Sequence, residues 1–330
     1  MNLAELAAVV ADEEQAFRLV ERIIWSAGPE CPHCRSDRVN RLAPQRTKAS
    51  KRNPEGKPVY GLWKCYGCRK QFTVRVGTIF EDSPIPLGKW LLAIHLMCSS
   101  KKGISSNQLK RELGISYQSA WFLTHRIRLA MTVDPLRSLL GTGTDPIVEI
   151  DETFVGGKVA NNMHRNKTAA AGRKTIVMTL VDREGDVVGV VVPDTTKKTL
   201  EAVAKPIVDR SATIMTDGNP SYANLDDYFH GHHAVDHDKQ FVRALIIHTN
   251  FAESYHSLLK RGLIGAFHHV SAEHLHRYVN EFSFRWNSRK ETDGERTERA
   301  VRATEGKRLT YRPLTRKRPG TLAPLFPDKA

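Results

Sequence analysis

The stretch Ile147-Val148-Glu149-Ile150-Asp151 opens the part of the chain that decides its fold. This short apolar run ends on a carboxylate, and two further apolar runs follow at residues 174–181 and 187–192. Short runs rich in β-branched residues and bounded by turn residues are typical of buried strands. The sequence therefore predicts three successive strands here, with a turn at residues 182–186.

The pattern after these strands completes a recognisable order of elements. Residues 197–209 have helical spacing, residues 212–216 predict a fourth strand that leads into Asp217, and residues 252–261 and 272–287 predict helices. Three strands, a helix, a strand and later helices is the order of a ribonuclease H-like domain, which we predict for residues 146–290. Since such folds serve many functions, the function has to be argued from the sites.

Three acidic residues stand at distinctive places in this region. Asp151 and Asp217 end predicted strands, and Glu253 begins a predicted helix after 35 intervening residues. Carboxylates from two strands and a helix can hold two hard divalent cations, which clamp the attacking and leaving oxygens of a phosphodiester. Glu149 and Glu152 compete with Asp151 for the first position; alternation puts Glu149 on the face of Asp151 and Glu152 on the other face.

The helix that begins near Glu253 carries a second charge on the same face. Helical spacing aligns Glu253, Ser257 and Lys260 and leaves Tyr255, Leu258 and Leu259 for the apolar face. Lys260 can then meet a phosphate while Glu253 meets a metal ion. The alternative is an ordinary pair of surface charges.

The charge balance narrows the class of partner. Fifty Lys and Arg against 36 Asp and Glu leave a net charge of +14, which attracts a polyanion and favours nucleic acid. An anionic membrane surface is the competing interpretation, but no basic amphipathic helix with an apolar anchor is found, and the longest apolar run is residues 187–192. Because the first residues carry Glu5 and Asp12 where a secretory signal carries positive charge, we expect a soluble cytoplasmic protein.

Two C-x-x-C pairs predict a zinc ribbon over residues 31–75. The pairs are Cys31 with Cys34 and Cys65 with Cys68, and the 30 residues between them form a basic, polar insertion. Four thiolates in this pattern are typical of a structural zinc site. A redox dithiol or a pair of disulfides is the alternative, which a cytosolic location disfavours. Cys98 lies in an apolar stretch and is predicted to be a core residue.

The segments on either side of the ribbon are predicted to be helical. Residues 1–30 have the spacing of an amphipathic helix or a pair of helices that pack as a cap. Residues 76–140 contain a helix-turn-helix pattern, with Ser105 or Ser106 and then Ser116 as caps and Gly114 as the turn. An ordinary helical hairpin is the alternative. If the second helix enters the major groove, its predicted base contacts are Tyr117, Gln118 and Ser119, and its predicted phosphate contacts are Arg126 and Arg128.

Two polar segments receive weaker assignments. The loop with Asp226, Asp227, Asp236 and Asp238 is predicted to be solvated, and a second metal site formed by His230, His232, His233 and His237 has no spacing that supports it. Residues 291–330, with ten Lys and Arg and four Pro, are predicted to be a weakly ordered basic tail that follows the DNA backbone.

Several longer motifs resemble one family. The motifs are Glu149-Ile-Asp-Glu-Thr-Phe-Val-Gly-Gly-Lys158, Thr216-Asp-Gly-Asn-Pro-Ser-Tyr222, Asp236-His237, residues 248–262 and Glu281-Phe-Ser-Phe-Arg-Trp-Asn-Ser-Arg289. Together with the cysteine pairs they resemble bacterial insertion-sequence transposases that join an N-terminal zinc ribbon to a DDE-type catalytic domain. The chain would then be a multi-domain α+β and α/β protein.

The resemblance implies a Mg²⁺- or Mn²⁺-dependent DNA transposase with Asp151 and Asp217 as metal ligands. Some relatives use Asn at the third position, so Asn250 is an alternate to Glu253. It also implies that the chain binds inverted-repeat ends and target DNA as a dimer or higher oligomer, in the cytoplasm and associated with the nucleoid. A transposase-derived DNA-binding regulator without catalysis and a metal-dependent nuclease or resolvase are the alternative functions.

Overall fold

The chain forms two compact units. In the computed structural model, residues 2–51, 53–132, 139–156, 174–235, 248–311 and 314 are described. Of these described residues, those up to 131 and those from 291 onward form the first unit, and those between 132 and 290 form the second. Gly157 and Lys158 of the predicted turn, the pair Asp236 and His237, Asp238 and tail residues 315–330 lie outside the described residues. In the described part of the chain, no helix is long and apolar enough to cross a membrane.

The first unit begins with the predicted pair of helices. They are α1 (Leu3–Val10) and α2 (Glu13–Ile24). Asn2 caps α1 by accepting a hydrogen bond from the N–H of Glu5, and Asp12 caps α2 by accepting from the N–H of Glu14. Because the apolar residues recur at helical spacing, α2 buries one face, including Phe17 and Val20.

The ribbon follows as two small antiparallel sheets. Its strands are β1 (Val39–Arg41), β2 (Gln45–Arg46), β3 (Pro58–Val59), β4 (Trp63–Cys65) and β5 (Gln71–Phe72). The order β1-β4-β5 forms one sheet, and β2 pairs with β3 in a separate hairpin. That hairpin lies in the insertion between the two cysteine pairs and forms a sheet separate from β1-β4-β5.

Three helices complete the N-terminal part of this unit. They are α3 (Leu87–Ser99), α4 (Ser106–Leu113) and α5 (Tyr117–Ala130). Ser105 caps α4, Gly114 ends it in the left-handed conformation at φ 59°, and Ser116 caps α5. The predicted caps, turn and helices are therefore confirmed as local structure. Cys98, on α3, is fully buried as predicted.

A five-stranded mixed sheet forms the second unit. Its elements are β6 (Ile147–Val155), β7 (Thr175–Asp182), β8 (Val187–Val192), α6 (Lys197–Ile207), β9 (Thr213–Asp217) and β10 (Gly231–Val235). The strand order is β10-β9-β6-β7-β8, with β9 parallel to both of its neighbours and β7 antiparallel to both of its own. This arrangement confirms the ribonuclease H-like fold. β10 was not predicted, because its polar sequence Gly-His-His-Ala-Val looked like part of a loop.

Helices cover both faces of this sheet. The helices α7 (Asn250–Gly262) and α8 (Ala272–Asn287) pack on one face, and α6 packs on the other. Gly189 of β8 permits the close approach of α8, because a Cβ there would lie 2.5 Å from Val279 Cγ1. The strand alternation therefore decides which helix each side chain of the sheet faces.

The chain then returns to the first unit as α9 (Asp293–Arg302). Thr292 and Glu295 form a capping box at its start, and Ala300 and Val301 are fully buried. Thr297 Oγ1 lies 2.9 Å from His95 Nδ1 of α3. The prediction of a weakly ordered tail is thus wrong for these residues, because they form a capped helix that buries Thr297, Ala300 and Val301 in the first unit.

Candidate functional sites

The four cysteines of the two C-x-x-C pairs converge in the first unit. Their sulphur atoms all lie within 4.8 Å of one another, with 3.6 Å both between Cys31 and Cys68 and between Cys34 and Cys65. Sulphurs that share one tetrahedral zinc ion, with Zn–S bonds of about 2.3 Å, lie about 3.8 Å apart. The cluster therefore fits a four-cysteine metal site, and the four cysteines form no disulfide.

Two similar turns present these cysteines. In each turn the residue after the second cysteine is left-handed, with φ 59° at Arg35 and φ 62° at Arg69. In the second turn the N–H groups of Gly67 and Cys68 donate to Cys65 Sγ at 3.3 and 3.4 Å. The N–H of Cys68 contributes most to lowering the pKa of Cys65 to about 6. These bonds favour the thiolate, the form that binds a metal.

A carboxylate cluster lies in the second unit, at one end of the parallel strands. Asp151, Glu152 and Asp217 each offer an oxygen within 4.8 Å of the others, and all three are partly buried. Asp217 is the last residue of β9, as predicted. β6 continues past its predicted end to Val155, but its pairing with β9 stops at Glu149, so Asp151 and Glu152 lie just beyond the shared ladder. The two strands therefore bring Asp151 and Asp217 together as predicted.

Glu152 is the member of this cluster that sequence reasoning did not select. Its carboxylate accepts a short hydrogen bond from the hydroxyl of Tyr222. The pKa of Glu152 is raised to about 7, chiefly by burial; the hydrogen bond from Tyr222 lowers it, and the charges of Asp217 and Asp151 raise it. A carboxylate crowded in this way by two others is one that a bound cation would stabilise in its charged form.

A histidine on α7 contacts the first carboxylate from the helix side. His256 Nδ1 lies 3.4 Å from Asp151 Oδ2, and His256 Nε2 lies 3.0 Å from Thr179 Oγ1. Burial, followed by the charge of Lys260, lowers the pKa of His256 to about 4, so the ring is neutral at pH 7. A neutral ring has one N–H, and both contacts are satisfied when Nδ1–H donates to Asp151 and Nε2 accepts from Thr179.

A second contact joins α7 to β6 near its first turn. Glu149 is fully buried, and its Oε2 accepts hydrogen bonds from the N–H groups of Phe251 and Ala252 at 2.8 and 3.1 Å. As alternation predicted, Glu149 and Asp151 thus face α7. Residue 253 lies on α7 between these two contacts, and the Glu253 side chain is exposed. Glu253 does not belong to the cluster of carboxylate oxygens within 4.8 Å. Asn250, the first residue of α7, is also exposed.

Two sequence families match these two regions. The family described as "Transposase zinc-ribbon domain" matches residues 11–71, and the family described as "ISXO2-like transposase domain" matches residues 139–287. The first match contains all four clustered cysteines, and the second contains the whole carboxylate cluster. The chain belongs to the insertion-sequence transposases.

Two known proteins are similar to this chain. An "Uncharacterized protein in transposable element ISH50" from Halobacterium salinarum is 29% identical over 287 residues, which covers 83% of this chain and 90% of that protein. A chain in the "Crystal structure of a pre-cleavage Mos1 transpososome" is similar with a TM-score of 0.25 and 14% sequence identity, covering 63% of this chain and 76% of that chain.

The first residues of α5 in the transposase are accessible. Tyr117 is 48% exposed, and Gln118 is also exposed. Ser119 is half-buried, and both its N–H and its hydroxyl bond to Ser116 Oγ. Of the three predicted base contacts, Tyr117 and Gln118 are therefore accessible, whereas Ser119 takes part in the cap of the helix.

The predicted phosphate contacts on α5 are wrong. Arg126 is 3% exposed and Arg128 is 1% exposed. The Arg126 guanidinium donates to the backbone oxygen of Glu81 at 2.5 Å and lies over the rings of Trp90 and Phe122. Periodicity placed these cations on a helix but could not show that the second half of α5 is enclosed by neighbouring segments. The exposed cations near this hairpin are Lys101, Lys102, Lys110 and Arg111.

The weakly supported histidine site is not formed by the described residues. His232 and His233 are neighbours on β10 and therefore point to opposite faces, and His232 Nε2 lies 2.8 Å from Thr216 Oγ1. Glu152, which the sequence offered only as a competitor of Asp151, and Tyr222 and His256, which it did not offer, all lie within the quoted family motifs. Their roles follow from the sheet edge and the packing of α7, which periodicity does not reveal.

Proposed function

We propose that this transposase binds the inverted-repeat ends of an insertion sequence and catalyses metal-dependent DNA strand cleavage and strand transfer. The observation that carries the proposal is the convergence of Asp151 and Asp217, with Glu152 beside them, within 4.8 Å at the end of two parallel strands. A partly buried group of three carboxylates is costly without a cation, and oxygen donors are those that Mg²⁺ and Mn²⁺ prefer.

The ligands differ between the two sites, and so do the proposed ions. The cysteine cluster is proposed to hold a structural Zn²⁺, because four thiolates close a tetrahedral shell. The carboxylate cluster is proposed to hold Mg²⁺ or Mn²⁺, with Asp151 and Asp217 as ligands and Glu253 as the third. Asn250 remains the alternate third ligand, and Glu152 is a further candidate because its oxygen is already within reach.

The residues at the carboxylate cluster are proposed to have different roles in phosphoryl transfer. Divalent ions at these carboxylates would supply Lewis-acid activation of the attacking oxygen and of the scissile phosphate. Asp151 and Asp217 fix the position of that charge, and His256 holds the orientation of Asp151. Lys260 is exposed on α7, seven residues after Glu253, and is proposed to pair with a DNA phosphate.

The first unit is proposed to hold the DNA ends. Tyr117 and Gln118 are the proposed base contacts, with Ser119 reduced to a supporting role by its bonds to Ser116. Phosphate contacts are reassigned from Arg126 and Arg128 to exposed cations such as Lys110 and Arg111. Because two ends have to be joined, a homodimer or higher oligomer on DNA is proposed, associated with the nucleoid.

The test is an assay in which binding, cleavage and joining are read separately. The duplex substrates carry the DNA that flanks this gene, where short inverted repeats bracketed by direct duplications are expected. With Mg²⁺ or Mn²⁺, we expect end-specific cleavage followed by joining of the released 3′-hydroxyl to a second duplex. Cleavage without joining would support a nuclease or resolvase, and end binding without cleavage would support a regulator.

A further inference from the structure

Glu149 has both of its carboxylate oxygens fully engaged by protein groups. Oε1 lies 2.8 Å from Arg183 Nε and 3.1 Å from His248 Nδ1. Oε2 accepts from the N–H groups of Phe251 and Ala252 at 2.8 and 3.1 Å. Three of these contacts are hydrogen bonds from N–H donors, whereas His248 Nδ1 also lies 3.0 Å from Arg183 Nη2 and can accept from it. Both carboxylate oxygens are therefore engaged by protein donors. Glu149 shares a strand face with Asp151, yet it lies outside the group of carboxylates whose oxygens are within 4.8 Å of one another.

The contacts on Oε2 replace the cap that α7 does not have in its own sequence. Thr249 occupies the N-cap position but makes no side-chain capping bond, and its buried hydroxyl has no hydrogen-bond partner. The free N–H groups of a first helical turn need an acceptor, and a negative charge there also interacts favourably with the helix dipole. Glu149 supplies both from β6, about a hundred residues earlier in the chain.

Arg183 extends this attachment to the residues before the helix. Its Nη2 donates to the backbone oxygen of His248 at 2.8 Å, while its Nε pairs with Glu149. Arg183 follows β7, so the start of α7 is attached to two neighbouring strands. The second attachment is His256, which contacts Asp151 of β6 and Thr179 of β7. Two attachments about one turn apart fix both the translation and the rotation of a helix on a sheet.

We propose that Glu149 is a positioning residue that sets the register of α7 on β6 and so holds Glu253 and Asn250 beside Asp151. This inference rests on the proposed function, because it assigns the third metal ligand to α7. The alternative is that Glu149 only contributes to the stability of the second unit, as any buried ion pair does. The positioning role and the purely stabilising role predict different results for another buried carboxylate of the same unit. If Glu149 only stabilises, removing that other charge should weaken metal binding as much as removing the charge of Glu149.

Glu281 is the matched control. It is also fully buried, and its Oε1 lies 2.7 Å from Arg285 Nη1 on its own helix α8. The test variants are Glu149→Gln and Glu281→Gln, with Glu149→Asp as the conservative variant. Glu149→Gln keeps the volume but turns an NH₂ group toward either Arg183 or the N–H groups of α7, so a donor faces a donor.

Three measurements on the full-length protein separate the roles. Hydrogen exchange reports on the first turn of α7, calorimetric titration with Mn²⁺ alone reports on the carboxylate site, and thermal unfolding reports on stability. We expect Glu149→Gln to speed exchange in residues 250–256 and to weaken Mn²⁺ binding about 10- to 100-fold. Glu281→Gln should leave the exchange rate and the Mn²⁺ affinity unchanged, even if it lowers the unfolding temperature as much as Glu149→Gln does. Glu149→Asp should bind Mn²⁺ more tightly than Glu149→Gln.

Two results would overturn the proposal. One is unchanged Mn²⁺ affinity and unchanged exchange in Glu149→Gln. The other is an equal loss of Mn²⁺ affinity in Glu281→Gln, which would reduce Glu149 to a contributor to stability. If Glu149→Gln does not fold, Arg183→Lys takes its place in the same three measurements. This variant removes the contact with the His248 carbonyl oxygen. A wild-type protein that binds Mn²⁺ but neither cuts nor joins DNA contradicts the proposed function and leaves this test intact.

Discussion

The cysteine cluster and the carboxylate cluster differ in how their ligands are brought together. Each pair of cysteines lies within one tight turn, and a left-handed residue, Arg35 or Arg69, follows each turn. Asp151, Glu152 and Asp217 instead come from two strands, and the proposed third ligand lies on a helix. The first site depends on two local turns, whereas the second depends on the sheet and, under the proposal above, on the register of α7.

This difference predicts how each site responds to damage. A site made from turns has little other structure to support it, so loss of the metal should unfold its surroundings. A site at the end of a sheet has two hydrophobic cores beneath it, so loss of one ligand should remove chemistry and spare the fold.

The largest effect is expected at the cysteines. Cys34→Ser or Cys65→Ser should abolish binding of one zinc per chain, unfold the ribbon and remove end binding, since structural zinc contributes about 10 kcal/mol to such folds. Elemental analysis and end-binding measurements provide the check. Cys98→Ala, at a buried cysteine outside the cluster, should keep its zinc. A zinc-free wild-type protein with four free thiols would contradict the assignment.

The next effect separates chemistry from binding. Asp151→Asn and Asp217→Asn should each bind ends normally and lower cleavage and joining by about a thousandfold or more, which corresponds to about 4 kcal/mol of transition-state stabilisation. Asp226→Asn, at an exposed carboxylate of the same unit, is the control and should stay active. An active Asp151→Asn would remove the metal mechanism from consideration.

A comparison of three variants identifies the third ligand. Glu253→Gln is expected to bind ends without cutting or joining them, because its charge is needed at the metal, while Asn250→Ala keeps measurable activity. The strand-cleavage rates of the three variants are the measurement that identifies the third ligand. Full activity in Glu253→Gln with an inactive Asn250→Ala would assign the role to Asn250. An active Glu253→Gln with an inactive Glu152→Gln would assign it to Glu152.

A smaller effect concerns a residue whose role the structure changes. Arg126→Ala should destabilise the first unit by about 2 kcal/mol, because it removes the bond to Glu81 and the packing on Trp90 and Phe122. Thermal unfolding measures this loss. The salt dependence of DNA binding should keep its slope, whereas Lys110→Ala should make it shallower. A shallower slope in Arg126→Ala at unchanged stability would restore the original phosphate assignment.

The smallest effect concerns sequence reading. Gln118→Ala should reduce the preference for end DNA over random DNA by about 1 to 3 kcal/mol and leave zinc content and random-DNA binding unchanged. Competition binding with the two DNAs measures it. If specific and random binding fall equally, α5 is not a recognition helix.

The sequence predicted the local features of both sites better than their assembly. The four cysteines, the helix caps at Ser105 and Ser116 and the strand end at Asp217 are determined by neighbours in the chain, and all were predicted. The burial of Arg126 and Arg128, the closeness of Glu152 and the strand β10 depend on what lies across the fold. The roles of Glu149 and His256 were missed for the same reason, because each depends on a contact between β6 and α7.

The return of the chain to the first unit as α9 has a consequence for protein synthesis. α3 contacts Thr297 and Arg296 of α9, so the unit that carries the zinc ribbon is complete only after the catalytic unit has been translated. A chain that ends early, through a frameshift or a stop codon in the catalytic unit, lacks the helix that α3 packs against. A damaged copy of the gene would thus produce a fragment with an exposed α3 surface that is prone to degradation.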